Sequence, residues 1–263
     1  MKTTLSSRSK IVEISPELPV VIIGERLNPT GKKTLSKAIE NGEVEFIKNE
    51  ALCQVEAGAD LLDVNVGVPG IDEPKMMVEA LKVIQSSTEI PLVIDSGRID
   101  VLKTGLTVYE GKALVNSVDG DEEKMISLLP AVKEAGAAVI GLTMDEKGIP
   151  STPEGRLAIA KRIAARAEDF GIPREDVIID CLSLTPSSEH RAGLITLETM
   201  KLVRDELGVN LILGVSNISY GLPDREFVSH IFLAMAIRNG LNCAIIDPTM
   251  ETMKMSVIVA DML

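Results

Sequence analysis

Short runs of Val, Ile and Leu, apolar at consecutive positions rather than at alternate ones, recur along the chain: PVVIIGE (19–25), ADLLDVNVG (59–67), PLVIDSG (91–97), ALVNSV (113–118), AAVIGLTM (137–144), VIIDCL (177–182), LILGVSN (211–217) and CAIIDP (243–248). A run without polar alternation is buried on both faces, as in a parallel sheet covered on both sides. Between the runs, apolar residues return with helical spacing over 43–59, 73–85, 121–137, 152–171, 224–240 and the final stretch TMETMKMSVIVADML, which predicts amphipathic helices. Two of these segments end in the same phrase, EAGA, at 56–59 and 134–137. A glycine just past a helix end closes the last turn in the left-handed conformation, so each phrase marks a helix leading straight into a strand. Pro130 interrupts the third helix and predicts a kink.

Eight strands alternating with eight helical segments predict a single (β/α)8 TIM barrel over 19–263, rather than a doubly wound sheet. No GxGxxG follows the first strand, which removes the dinucleotide-fold signature. Residues 1–18 form an N-terminal extension that covers the bottom of the barrel or stays partly mobile.

In such a barrel the active site lies at the C-terminal ends of the strands. Those ends carry Glu25, Asn28, Asp63, Asn65, Asp95, Ser96, Asn116, Ser117, Thr143, Asp180, Ser216, Asn217 and Asp247, which are acids, amides and hydroxyls with almost no cations. Carboxylates and carboxamides match the donor and acceptor edges of a fused heterocycle such as a pterin, whereas phosphates call for Lys, Arg or glycine nests. Composition alone does not separate a pterin from a magnesium-bound substrate. Plainer roles stand beside these. Asp63 and Asn65 also suit helix caps and turns, and Glu25 suits an ion pair with Arg26 or a neighbour. Asp95 and Asp180, at the ends of apolar strands, need a partner to be there at all.

Length and charge narrow the classes. The chain has 263 residues, net charge -12, 2% aromatics and no Trp, which speaks against phosphate-backbone binding and base-stacking platforms, and so against nucleic acid. Cys53, Cys181 and Cys243 lie far apart in apolar segments, as in a reduced cytoplasmic protein without disulfides. Cys181 reads as a small buried hydrophobe. No CxxC or HExxH occurs and no metal site is expected. No apolar run is long enough to span a membrane. His190 falls in a long polar loop, SLTPSSEHRAG, and the methionines at 250, 253, 255 and 262 read as core or dimer-packing residues.

The segments IIGERLNPTGKK, LLDVNVG, LVIDSG, ALVNSV, IGLTMDEKGIP, VIIDCL, LGVSNISYG and FLAMAIRNGL, in this order, resemble the pterin-binding methyltransferases, and most of all the methyltetrahydrofolate:corrinoid protein methyltransferases. The resemblance runs from about residue 20 to the C-terminus. It implies a homodimeric barrel that moves a methyl group between N5 of tetrahydrofolate and the cobalt of a corrinoid (cobalamin) carried on a separate corrinoid protein. It also implies that Asp95, Asn116 and Asp180 hold the pterin, that Asn217 reaches N5, that Gly214 and Ser216 form its supporting turn, and that Arg225 closes the same loop. Tyr220 departs from the Gln of the family at the pocket's edge. The direction of transfer is not encoded. A barrel of this length without zinc-type cysteine spacing is expected to be the folate half alone, with 5-methyltetrahydrofolate as co-substrate. Two other readings are a dihydropteroate synthase-like enzyme, which needs a cationic pyrophosphate site that AIIDPTMETM does not offer, and a non-catalytic folate-binding subunit.

Overall fold

Two short antiparallel strands come first, β1 (Thr3–Ser6) and β2 (Ile11–Ile14). Eight parallel strands follow: β3 (Val21–Gly24), β4 (Leu61–Asn65), β5 (Leu92–Asp95), β6 (Leu114–Asp119), β7 (Ala138–Leu142), β8 (Val177–Asp180), β9 (Leu211–Gly214) and β10 (Cys243–Ile246). The computed structural model describes residues 1–187 and 189–263, and in it these eight strands close into a barrel, β10 pairing with β3. The helices are α1 (Lys33–Glu40), α2 (Val44–Glu56), α3 (Glu73–Ser87), α4 (Ile99–Val108), α5 (Glu122–Glu134), α6 (Pro153–Asp169), α7 (Ala192–Leu207), α8 (Arg225–Arg238) and α9 (Glu251–Met262). The fold is therefore the TIM barrel read from the sequence.

Alternation along the strands divides the core in two. Val21, Ile23, Leu61, Val93, Leu114, Ala138, Ile140, Ile178, Ile212, Cys243 and Ile245 pack together inside the barrel. Their neighbours Ile22, Leu62, Val64, Leu92, Ile94, Val115, Val139, Ile179, Leu213 and Ala244 pack outward against the helices. Successive strand side chains point to opposite faces, so continuing the inward set by two residues reaches Glu25, Asp63, Asp95, Asn116, Asp180, Gly214 and Asp247, and by four reaches Asn65. The polar groups at the strand ends share the parity of the interior.

The extension is an ordered cover. Leu5, Val12 and Ile14 of the β1–β2 hairpin are buried in the inner cluster, each contributing about 1.5–3 kcal/mol of burial. Such a hairpin is marginal alone. Its polar edge is tied as well: Asn210 Nδ2 donates to Thr3 Oγ1 at 2.9 Å and to the Ile14 carbonyl at 3.0 Å, and Tyr109 Oη donates to the Ser6 carbonyl at 2.8 Å.

Two expectations change. Nine helices, not eight, occur among the described residues, because the β3–β4 connection holds both α1 and α2. Gly42 separates them with φ of +69°, a conformation that cannot continue a helix. Helix α5 passes through Pro130 rather than being interrupted by it. Pro130 is exposed, so the carbonyl one turn earlier that it leaves without a donor faces solvent. The polar cluster after β9 is itself helical, a 3-10 turn over Val215–Ser219. The EAGA glycines behave as read: Gly58 and Gly136 have φ of +99° and +62°, just beyond the ends of α2 and α5.

Candidate functional site

Strand register brings the first group together. Asn65 lies beside Asp95 and Asp95 beside Asn116 across β4, β5 and β6. Asp95 Oδ2 accepts from Asn65 Nδ2 at 2.9 Å and from Asn28 Nδ2 at 3.3 Å. The amide oxygens of those two residues are occupied by Gly67 N–H at 2.8 Å and Thr30 N–H at 3.0 Å, which fixes both amides with their donors toward the carboxylate. Asp63, 3% exposed, accepts from Asn116 Nδ2 at 3.2 Å. Burial, then the charge of Asp95, pushes the Asp63 carboxyl well above the usual carboxylate range, and burial raises Asp95 too. Two buried carboxyls in contact hold one proton between them more readily than two charges.

Asp180 stands across the mouth. Its Oδ1 accepts from Leu182 N–H at 2.7 Å, and burial pushes its carboxyl up to about 7 against the opposing effects of that bond and of Arg156. Thr143 donates to the Asp180 carbonyl at 3.0 Å, holding the strand end.

The β9 turn supplies the third part. Asn217 is exposed on the 3-10 turn and its side chain makes no hydrogen bond among the described residues. A Cβ on Gly214 would lie 3.0 Å from Asn217 Nδ2, so glycine is what lets the amide fold back over the strand end. Arg225 staples the turn, donating from Nη2 to the Ser216 carbonyl at 3.2 Å and from Nε to Ser219 Oγ at 3.3 Å. The Arg225 guanidinium also lies 5.7 Å over the exposed Tyr220 ring at the rim. The loop after β8 leans on this turn: Ser183 donates to the Gly214 carbonyl and Thr185 to the Tyr220 carbonyl, at 2.8 and 2.7 Å. Ser188 of that loop lies outside the described residues.

Glu25 and Arg26 do not form the expected ion pair. Being neighbours, they diverge: Glu25 turns inward and accepts from Ser216 Oγ at 3.1 Å, while Arg26 turns outward to Glu50 and, at 3.0 Å, to Asp247. The last strand therefore does have a cation beside it, because barrel closure sets the residue after β3 next to the one after β10. Both acids already neutralise it. Burial raises the Glu25 carboxyl and lowers the Lys32 ammonium, which donates to the Glu25 and Asn28 carbonyls at 2.9 and 3.1 Å. Ser96 is not brought into the mouth. Its parity is outward, and it donates to the buried Glu73 carboxylate and accepts from Arg98 N–H. Lys32 and Arg156 escaped sequence reasoning, and Lys32 and the exposed Lys33 read alike in GKK. Cys181 is fully buried on the outer side of the barrel wall.

A closed parallel barrel with fixed carboxylates and amides at its mouth has the chemistry to pair with a flat ligand rich in N–H groups. Comparison with known proteins agrees. The model of the family described as pterin binding enzyme matches residues 24–247. The methylcorrinoid:tetrahydrofolate methyltransferase of Eubacterium limosum is 32% identical over 251 residues, 93% of this chain and 91% of that protein. The methionine synthase of Mycobacterium leprae is 30% identical over 259 residues, 92% of this chain but 21% of that protein. Yersinia pestis dihydropteroate synthase superposes with a TM-score of 0.75 at 14% identity, covering 99% of this chain and 98% of that one, a likeness of fold alone. The chain belongs to the pterin-binding enzyme family and, within it, is a methyltransferase.

Proposed function

We propose that the protein moves a methyl group between N5 of tetrahydrofolate and the cobalt of a corrinoid carried on a separate protein. The observation that carries this reading is the Asn217 carboxamide, without a hydrogen-bond partner among the described residues, on the turn where β9 leaves the ring of Asp95, Asn116 and Asp180. Those three groups suit the amino and ring N–H edge of a pterin. Methyl departure from a tertiary amine needs a proton or strong hydrogen bond at N5 as the C–N bond breaks. The Asn217 amide accepts from a protonated N5 or orients a water that donates to it. The corrinoid supplies the Co(I) nucleophile, and the chain supplies orientation. The name of the Eubacterium limosum relative puts methylcorrinoid as donor; the same groups serve either direction.

An anaerobic absorbance assay of chemically reduced cobalamin, 5-methyltetrahydrofolate and this protein is expected to show Co(I) consumed and methylcobalamin formed. Folate binding with no transfer, even to a methyl-accepting corrinoid protein, would leave only the folate-binding subunit.

The same reading places the protein in the cytoplasm as a homodimer. Among the described residues no helix is long and apolar enough to cross a membrane, and the three cysteines are free. Phe227, Ile231 and Met235 of α8 and Met255, Val259 and Met262 of α9 are 42–78% exposed, an apolar face across two neighbouring helices that a partner copy would cover. Met253 is core, whereas Met255 and Met262 belong to this face. Light scattering is expected to give a dimer, and the Ile231→Glu, Met235→Glu double variant a monomer with an unchanged circular dichroism spectrum. A wild-type monomer at tens of micromolar removes the dimer.

A further inference from the structure

Arg156 lies in the first turn of α6 and is 1% exposed. It makes no ion pair among the described residues, and its guanidinium is spent on backbone carbonyls. Nε donates to Pro150 O at 3.0 Å, and Nη1 donates to Cys181 O at 2.7 Å and Leu182 O at 2.8 Å. Thr196 of α7 adds a second donor to Leu182 O at 3.0 Å. A buried cation without a carboxylate in contact is costly, so its position calls for a reason.

The residue it grips is unusual. Leu182 has φ of +58°, a left-handed conformation that a branched side chain rarely adopts. Holding Leu182 there aims its N–H back at Asp180 Oδ1 at 2.7 Å. The chain of contacts runs from the guanidinium to two carbonyls, to a backbone N–H, to the carboxylate at the barrel mouth. The groups acting on the Asp180 carboxylate are Arg156 from α6 and the backbone N–H groups of Leu182 and Gly214, while the neighbouring Cys181 side chain packs on the outer side of the barrel wall. Arg156 is the one cation among them.

We propose that Arg156 is a positioning residue for the reaction: it clamps the Asp180–Leu182 turn from the outer side of the barrel and supplies the positive charge that faces the Asp180 carboxylate. The inference rests on the reading of Asp180 as a pterin ligand. Lysine keeps the charge but loses the planar fork that reaches several carbonyls at once. Methionine keeps the length and loses both. Without the opposing charge the buried carboxyl ionises at higher pH, so the pH below which ligand is released moves up.

The test is calorimetric binding of 5-methyltetrahydrofolate from about pH 6 to about pH 8.5 by the wild type, Arg156→Lys, Arg156→Met, Asp180→Asn and the Met/Asn double variant. Arg156→Met is expected to weaken binding roughly tenfold or more at pH 7 and to shift its pH midpoint upward. Arg156→Lys is expected to weaken binding less and to keep the wild-type midpoint. In the Asp180→Asn background the Met substitution is expected to add nothing. Equal weakening by Arg156→Met with and without Asp180, or an unmoved midpoint, overturns the inference. Should Arg156→Met not fold, Arg156→Lys decides: wild-type affinity, or a displaced midpoint, overturns it. If Asp180→Asn binds as tightly as the wild type, the assignment of Asp180 itself has failed, and that outcome is read separately from the others.

Discussion

Replacing Asn217 with alanine is expected to lower the rate of methyl transfer roughly a hundredfold or more while leaving the fold intact. The side chain is exposed and has no hydrogen bond among the described residues, so its loss removes no packing and leaves no buried group unpaired. The turn beneath it is held by Arg225 and Ser219 through contacts that do not involve the amide. The expected signature is a large fall in kcat, a rise in KM for the folate of a few-fold at most, and an unchanged melting midpoint. Steady-state absorbance kinetics with a thermal melt of the same preparation read all three. A rate within a factor of about two of the wild type would remove Asn217 from the chemistry; an equal rise in KM with constant kcat would make it a binding group only.

Asp180→Asn is expected to make the protein more stable and less able to bind folate. Burial moves the Asp180 carboxyl from 3.8 to about 7, a net value that already includes the help of Arg156 and of the two backbone N–H groups. Between those two pH values the folded chain keeps a proton that the unfolded chain releases. Stability from this group therefore falls as pH rises from about 4 to about 7 and is constant above that. At pH 8 the penalty reaches at most about 4 kcal/mol. Asparagine cannot ionise, and its amide oxygen still accepts from Leu182 N–H. Its melting midpoint is expected to exceed the wild-type value at pH 8, with the difference closing toward pH 4. Binding changes the other way, since a carboxylate facing pterin N–H groups makes charge-assisted bonds that an amide does not, and roughly a tenfold or greater loss in affinity is expected at pH 8. Equal melting midpoints at pH 8 would show that Asp180 is not held against its ionisation.

The barrel was legible because its strands are buried on both faces and its helices are not, which gives two distinct periods in one chain. Which strand-end residues share the parity of the interior follows from a related count: parity, taken from Val21 or Val93, decides which polar residue points inward. Ser96 fails this count, pointing outward directly after an inward Asp95. The paired fates of Glu25 and Arg26 follow the same rule, which adjacency in sequence conceals. Cations were the weak point. Arg156 sits in PEGRLAIAKR, where it looks like any charged residue on a solvated helix, and only the packing of the first turn of α6 against the end of β8 takes it out of water. Contact between the β3 and β10 loops depends on ring closure, a property no local window contains.

The hairpin under the barrel makes the first residues of the chain depend on the last. Its hydrogen-bond partners lie up to 207 residues further along, and the apolar interior that receives Leu5, Val12 and Ile14 includes Cys243 and Ile245 of the final strand. These contacts join distant parts of the chain, and they form slowly because the intervening loop must be ordered first. During synthesis the hairpin leaves the ribosome more than two hundred residues before its seat is complete, and it waits as an unpaired, partly apolar ribbon. A chain cut short before β10 keeps the cork without the bottle, so incomplete products expose that ribbon and become targets for chaperones and proteases.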